Sequence, residues 1–480
     1  MIALHSRYNP QAEAERYLDA LSIPPHIRCF ILIEPGLGYM IPVLSRRFPG
    51  ARCIALHVSA SQDSAGSVEN GHTVYWNPGL RLPAEEFLGR ELEKLAGGFG
   101  PESIKIIEWR PSRDRYGDHY VKLLAAAAAA IRRFAAERRT LRAFGRRWFR
   151  NFFRNLRLLR RFPVLPVLRE TAAPILITGS GPSLEESLPL IRKLEGQCVI
   201  IAASSSLMAL HGVTPDLVLS TDGGGWALLH LYELFRARPA GKPAGLAASL
   251  IANLPSQCGG LPILGIADGS LWQGLILRGL GISHLVLPQR GTVTATALDL
   301  ALALGRGKVI IAGMDLDTRD IRTHARPYSF DRLWREGASR FRGEYSQSFF
   351  RRMAAREGGS YRVYAEWFAS RLNSYEGRVY TLGTNNSLFA GLPRIGARDL
   401  PLSPVRGPEP APAQALSPGP AVPQAVRRAV GILTAALEDP ETRETIVGEL
   451  APLLLPGGPP RLDAIRSEVE SLSRLSGEIR

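Results

Sequence analysis

Residues 174–191, PILITGSGPSLEESLPLI, decide the fold of this chain. A short apolar run, Ile175 to Ile177, meets a turn with two glycines, Gly179-Ser180-Gly181-Pro182-Ser183, and then apolar residues at helical spacing. That reads as a buried strand, a tight turn and a helix. The same grammar recurs in CVIIAAS (198–204), DLVLST (216–221), PILGIA (262–267), HLVLP (284–288) and KVIIAG (308–313). These β-branched runs suit strands buried on both faces, and helical stretches separate them. The expected fold over 170–400 is therefore α/β: a doubly wound, Rossmann-like, mostly parallel sheet with helices on both sides.

In such a sheet ligands bind beyond the carboxyl ends of the strands, so the residues after each run are the candidates. Gly179 and Gly181 permit close backbone approach, Pro182 suits a first helical turn, and amides at a helix start can hold phosphate. The turn lacks the Lys and spacing of a P-loop and the third glycine of a dinucleotide fingerprint. Ser204, Ser205 and Ser206 offer hydroxyls to a ribose, base or phosphate, or cap a helix. Asp222 ends its strand ahead of Gly223-Gly224-Gly225, which leaves room for a ligand, whereas Asp216 opens the same strand and reads as structural. Gly291 and Thr292 present donors to an anion at the next helix start. Asp315 stands at a further strand end, and with Asp317 it forms a D-x-D pair that could hold Mg²⁺. His324 is a candidate base, since an unperturbed imidazole titrates near pH ~6.5. Arg326 is placed to neutralise phosphate, and Tyr380 to Asn386 could close the cleft.

The flanks are plainer. Residues 1–120 contain CFILIEPGLGYMIPVLSRRFPGARCIALHVS, a β-α-β unit whose Gly36-Leu37-Gly38 turn reads as a degenerate, mainly structural smaller Rossmann-like domain. A basic helical connector spans 121–169. Twelve arginines against the single acid Glu137 between Ile131 and Phe162 supply +11 of the net +15 of the chain, so the basicity is local. Leu141, Phe144, Trp148, Phe152 and Leu156 recur at helical spacing as a stripe for packing or for docking an acidic partner. A proline-rich linker (401–424) leads to a C-terminal helical segment (425–480) with the stripe Leu462, Ile465, Val469, Leu472 and Leu475.

At 480 residues the chain needs more than one core. No apolar stretch approaches the ~18 residues of a membrane span, and the N-terminus lacks a secretory pattern, so a cytoplasmic location is expected. Cys29, Cys53, Cys198 and Cys258 have no metal or redox spacing and read as buried free thiols. No nucleic-acid motif accompanies the arginines.

Four ordered motifs carry a family resemblance: ILITGSGPSLEESLPLI, IIAASSSLMALHGVTPDLVLSTD, RGTVTATALDLALALGRGKVIIAGMDLD and THARPYSF. They resemble the core of the Maf (motility-associated factor) proteins and their 6-hydroxymethylpterin diphosphokinase MptE-like relatives. The flanks GRRWFRNFFRNLRLLRRFPVL and ILIEPGLGYMIPVL are similar to the corresponding Maf segments. The resemblance implies a sialyltransferase-like core that moves a nonulosonic acid of pseudaminic or legionaminic type from a CMP-sugar to Ser/Thr hydroxyls of flagellin. Carried over by position, Gly179, Ser180, Gly181, Pro182, Ser183, Ser204, Ser205, Asp222, Gly291, Thr292 and Arg326 would line the donor site. His324 and Asp315 would be catalytic, with no assigned metal. The alternatives are a pterin diphosphokinase using ATP and a catalytically silent flagellar binding protein.

Overall fold

The computed structural model describes residues 4–60, 72–94, 100–158, 173–235, 245–316, 320–357, 360–369, 371–375, 377–382, 391–396, 399, 422–455 and 461–475. Two compact units emerge, one of residues 1–145 with 436–468, the other of 146–435 with 469–480.

The first unit carries α1 (Pro10–Ala20), β1 (Cys29–Ile33), α2 (Met40–Arg47), β2 (Arg52–Leu56), β3 (Thr73–Trp76), α3 (Ala84–Lys94), β4 (Ile104–Glu108) and most of α4 (Arg110–Asn155), which is interrupted at Gly117. Its four strands lie in the order β3-β2-β1-β4, all parallel. Ile31, Ile33, Ile54 and Leu56 face one core, and Phe30, Leu32, Cys53 and Ala55 the other, as alternation along strands covered on both sides requires.

The second unit holds β5 (Ile175–Thr178), α5 (Ser183–Leu194), β6 (Val199–Ala203), β7 (Leu217–Ser220), α6 (Leu228–Leu231), β8 (Gly245–Ser249), β9 (Ile263–Ala267), α7 (Leu271–Gly279), β10 (Leu285–Val286), α8 (Val293–Leu304), β11 (Val309–Ala312), α9 (Asp331–Glu336), α10 (Glu344–Glu357), α11 (Ser360–Ala369) and β12 (Val379–Thr381). The helices α12 (Val422–Glu438), α13 (Pro440–Leu454) and α14 (Leu462–Leu475) follow, α12 starting in this unit and α13 belonging to the first. Eight parallel strands run β10-β9-β8-β7-β6-β5-β11-β12. Helix α5 covers Leu176, Ile200 and Ile310 on one face, and α8 covers Ile175, Ile177 and Ile311 on the other. The sheet is doubly wound, as expected. All six anticipated strands are present, with two more, β8 and β12.

Strand order fixes where a ligand can enter. From β5 the chain steps outward to β10, then returns through α8 to place β11 on the other side of β5. The reversal lies between β5 and β11, so their C-terminal turns, which begin at Gly179 and Gly313, flank the topological switch point. In the first unit the reversal lies between β1 and β4.

The connector buries the expected stripe only in part, keeping Phe152 and Leu156 and adding Phe149 and Phe153. Phe149, Phe152, Phe153 and Leu156 are buried, whereas Phe144 is 40% exposed. Phe149 and Phe152 pack on Trp272 at 5.4 and 4.6 Å between ring centroids. The reason is polar: on this helix Asn151 and Asn155 must face inward, because their side-chain amides donate to backbone carbonyls beyond β7 and β8. All four cysteines are buried free thiols, and burial pushes Cys198 and Cys258 up to about 12. Among the described residues no helix is long and apolar enough to cross a membrane.

Candidate active site

The turns after β5 and β11 are tied directly to each other. The Gly179 amide donates to Ala312 O at 2.8 Å and the Gly181 amide to Gly313 O at 2.7 Å. A Cβ on Gly179 would stand 2.5 Å from Gly313 O, and one on Gly181 2.5 Å from Asp315 Oδ2. The glycines therefore serve this close approach. The Ser183 amide donates to Asp315 Oδ2 at 2.8 Å, and the Ser183 hydroxyl donates to Asp315 Oδ1. A carboxylate from the neighbouring strand end thus occupies the anion position at the start of α5.

This bears on the phosphate cradle read from sequence. The amides of Gly179, Gly181 and Ser183 are already engaged within the chain, and Pro182 has none to give. Helix α8 differs. Its N-cap, Thr292, is extended and makes no side-chain cap, and Thr294 Oγ1 lies 3.2 Å from the position of a Cβ on Gly179. The helix start beside the switch point that makes no side-chain cap is thus that of α8, with Gly291 (φ +70) just before it.

The serines after β6 divide their roles. Ser206 bonds Thr178 Oγ1 at 2.9 Å and Ala203 O at 2.8 Å, a structural tie. Ser205 donates to Ser180 Oγ at 3.0 Å, which pairs two hydroxyls above the turn, and Ser204 is buried. Asp222 is exposed, with Oδ1 accepting from the Gly224 amide at 2.7 Å. The space over Gly223 is not open to a ligand as expected: a Cβ there would collide with the Trp148 indole and lie 2.9 Å from Ile251 O. Asp216 accepts from the Ile200 amide at 2.8 Å, the structural role anticipated for it.

His324 is brought to the site by the Ala325 amide, which donates to Ser180 O at 2.7 Å. The first turn of α5 secures the same loop, for Glu185 accepts from the Arg326 amide and from Arg322 Nη1, each at 2.7 Å. The imidazole stacks on Tyr328, with centroids 4.1 Å apart and planes 13° apart, and its Nδ1 lies 2.9 Å from Thr323 Oγ1. Burial, followed by His230 and Arg351, lowers the His324 pKa to about 4. The ring is neutral at pH 7, but a weaker base than an unperturbed histidine. Arg326 is half exposed, its Nε 3.8 Å from Asp331 Oδ1.

Sequence reading missed several neighbours. Buried His230 lies 5.4 Å from Tyr328 and 5.0 Å from Phe330, its Nδ1 without a hydrogen-bond partner, and burial lowers its pKa to about 4 against the opposing charge of Asp222. Tyr361 and Tyr364 share a face of α11. Burial and then Asp315 raise the Tyr361 pKa, and Tyr364 Cε1 lies 3.3 Å from the position of a Cβ on Gly291. Their i, i+3 spacing in SYRVYAEW was the available signal. Asp317 and residues 383–386 lie outside the described residues. Among the described residues no group of three or more His, Cys, Asp or Glu side chains converges as a metal site.

The depressed histidines set a pH response. Both favour the neutral ring when folded, so their contribution is full above the ordinary value of about 6.5 and is lost as pH falls toward about 4. Each unit of pH in that window costs about 1.4 kcal/mol per histidine. Unfolding midpoints between pH 7 and 4.5 should fall steeply, and His230→Gln should flatten the slope; an unchanged slope refutes the assignment.

In the first unit, Gly36 and Gly38 adopt positive φ beyond β1, but the Leu37 amide donates to His5 Nε2 at 3.0 Å. The His5 ring stacks on Trp109 at 5.5 Å and meets Tyr39 edge-on at 5.1 Å. That turn is filled from within the chain.

Comparison with known proteins follows this geometry. Residues 150–253 match the family model described as 6-hydroxymethylpterin diphosphokinase MptE-like, which begins at the Asn-bearing end of α4 and runs past β8. A Treponema pallidum (strain Nichols) protein described as uncharacterized is 28% identical over 273 residues, covering 55% of this chain and 56% of the relative. A 6-hydroxymethyl-7,8-dihydropterin pyrophosphokinase of Methanothermobacter thermautotrophicus is 30% identical over 148 residues, covering 30% of this chain and 58% of its own length. The chain thus spans a little over half the length of these curated relatives. Among solved structures, a Maf glycosyltransferase from Magnetospirillum magneticum AMB-1 superposes with a TM-score of 0.50 at 16% identity, covering 94% of this chain and 73% of that one. Residues 150–253 thus resemble the MptE-like family, and the chain shares the fold of that Maf protein.

Proposed function

We propose that this chain, an MptE-like core within a Maf-type fold, is a glycosyltransferase that moves a sialic-like nonulosonic acid from a CMP-sugar to Ser/Thr hydroxyls of flagellin. The observation that carries the reading is the extent of the fold shared with a glycosyltransferase, 94% of the chain, and the sheet of this chain has its own switch point at the cluster described above. The donor phosphate lies at the start of α8, where Gly291, Thr292 and the helix dipole meet developing negative charge as CMP departs. Ser180 and Ser205 supply hydroxyls to the nucleotide, and Arg326 neutralises phosphate. Asp315 acts by holding Ser183 and the β5 turn in place.

A His324 of lowered pKa suits this chemistry. Glycosyl transfer passes through an oxocarbenium-like state that needs little nucleophile activation, so the acceptor proton leaves late and a weak neutral base suffices. Asp222 reaches the site through the field it exerts on His230 and Tyr328. The reaction is assayed with and without Mg²⁺, because Asp315 and Asp317 keep D-x-D spacing.

The MptE-like match and the pyrophosphokinase relative favour a second reading, transfer of pyrophosphate from ATP to a hydroxymethylated pterin. Purified protein is incubated with CMP- and UDP-sugars with or without flagellin, and with ATP and pterin. CMP release that depends on flagellin is expected; AMP release with pterin overturns the proposal. His324→Ala should abolish transfer but retain CMP binding.

A further inference from the structure

The mechanism above uses His324 and Arg326 but not the rest of the cationic recess they border. Beside His324, side chains from the loop after β11, from α9 and from α10 line a shallow pocket that includes Arg326, Tyr328, Asp331, Trp334, Ser348 and Arg351. Three arginines border it, and their partners differ. Arg322 is satisfied by Asp320 and Glu185, both at 2.7 Å. Among the described residues the Arg326 guanidinium has a loose 3.8 Å contact with Asp331, whose other oxygen accepts from the Tyr328 amide at 2.9 Å. Arg351 lies on the Trp334 indole, 3.8 Å from its centroid, and donates to the neutral Ser348 hydroxyl at 3.2 Å. No carboxylate among the described residues forms an ion pair with Arg351.

Two guanidinium groups therefore border a partly desolvated recess, one loosely paired with Asp331 and the other in no ion pair among the described residues. Burial, and after it Arg326, disfavours the charge on Arg351, while Asp331 and Glu344 support it. A bound anion would relieve that imbalance. The walls narrow the chemistry. Stacking on Trp334 holds the guanidinium plane fixed, so its donor edge is pre-oriented for a bidentate partner. Tyr328 packs on His324 at 4.1 Å and on Trp334 at 5.3 Å between centroids, which makes the aromatic wall of the recess rigid.

We infer that this recess is an oxyanion subsite in which Arg351, held flat on Trp334, and Arg326 bind the negative group of the donor. The inference rests on the glycosyl-transfer reading for the identity of the donor, but not for the charge it takes. The oxyanion is either the carboxylate of the transferred sugar or the phosphate of the nucleotide.

The test titrates the full chain and Arg351→Met with four probes: CMP-N-acetylneuraminic acid, CMP, free N-acetylneuraminic acid and its uncharged methyl ester. Arg351→Lys, which keeps charge but loses the bidentate fork, and a melting curve for each variant guard against misfolding. In Arg351→Met, binding of CMP-N-acetylneuraminic acid should weaken at least tenfold, with an intermediate loss in Arg351→Lys. Unchanged CMP affinity assigns the oxyanion to the sugar carboxylate; an equal loss for CMP assigns it to phosphate. Undiminished binding of every probe by a folded Arg351→Met overturns the subsite and leaves the glycosyltransferase reading standing. Arg351-dependent binding of the free acid but not its ester, without nucleotide binding, upholds the subsite and removes the donor reading. Failure of wild-type protein to bind any probe overturns both.

Discussion

Gly179→Ala is expected to reduce glycosyl transfer by more than about 100-fold and to lower stability by roughly 2–3 kcal/mol. The cause is backbone meeting backbone. The added Cβ would lie 2.5 Å from Gly313 O, 3.1 Å from Gly313 C and 3.2 Å from Thr294 Oγ1, and the first two cannot rotate away as a side chain could. Relief requires the β5 and β11 turns to part, which strains the Gly181 to Gly313 hydrogen bond of 2.7 Å and draws Ser183 away from Asp315. Gly89→Ala is the control. It sits in α3 with nothing within 4 Å of the new atom, so it should be neutral or stabilising by up to about 1 kcal/mol. Urea unfolding and turnover read both effects. Wild-type turnover and stability in Gly179→Ala would contradict the contact between the turns.

Asn155→Leu should cost about 2–4 kcal/mol, far more than an ordinary surface change. Its buried amide donates to Leu250 O at 3.0 Å and Ala252 O at 2.7 Å, and one turn earlier Asn151 serves Gly223 O at 3.2 Å and Ile251 O at 3.0 Å. Removing either side chain leaves two buried carbonyls without that donor, and leucine supplies no replacement. Arg154→Ala, on the exposed face of the same helix, should fall within about 0.5 kcal/mol of wild type. Equal unfolding midpoints for Asn155→Leu and Arg154→Ala would refute the clamp.

The residues differ in how much of this was legible beforehand. Runs such as KVIIAG announce themselves because strands buried on both faces concentrate β-branched residues. Strand β8, GLAAS, does not: alanine, serine and glycine have weak strand preference, and its identity comes from lying between β7 and β9. Three-residue β12 is too short to show a period. Strand-end positions were also readable: Ser180 and Ser205 hydrogen-bond each other, Asp315 binds Ser183, and the Ala325 amide next to His324 donates to Ser180.

Direction was not readable. Asp315 turns its carboxylate back onto a helix start 132 residues away, and no local pattern reveals that those amides are already engaged. Likewise His5 fills the Gly36 turn from 32 residues upstream of Leu37. His230, on a four-residue helix, belongs to no motif, and Trp334 and Arg351 meet only because α9 and α10 fold together. Trp148 was visible as a stripe residue, but its seat against Gly223 depends on a loop far along the chain.

The donor nucleotide is proposed to bind at the β5–β11 switch point of the second unit. A crystal structure of the full chain with a non-hydrolysable CMP-sugar analogue tests it most directly. Nucleotide density is expected at the start of α8, against Gly291, Thr292, Ser180 and Ser205. Nucleotide seated instead on the Gly36-Leu37-Gly38 turn with His5 displaced, or absent from the β5–β11 edge at saturating analogue, would contradict it.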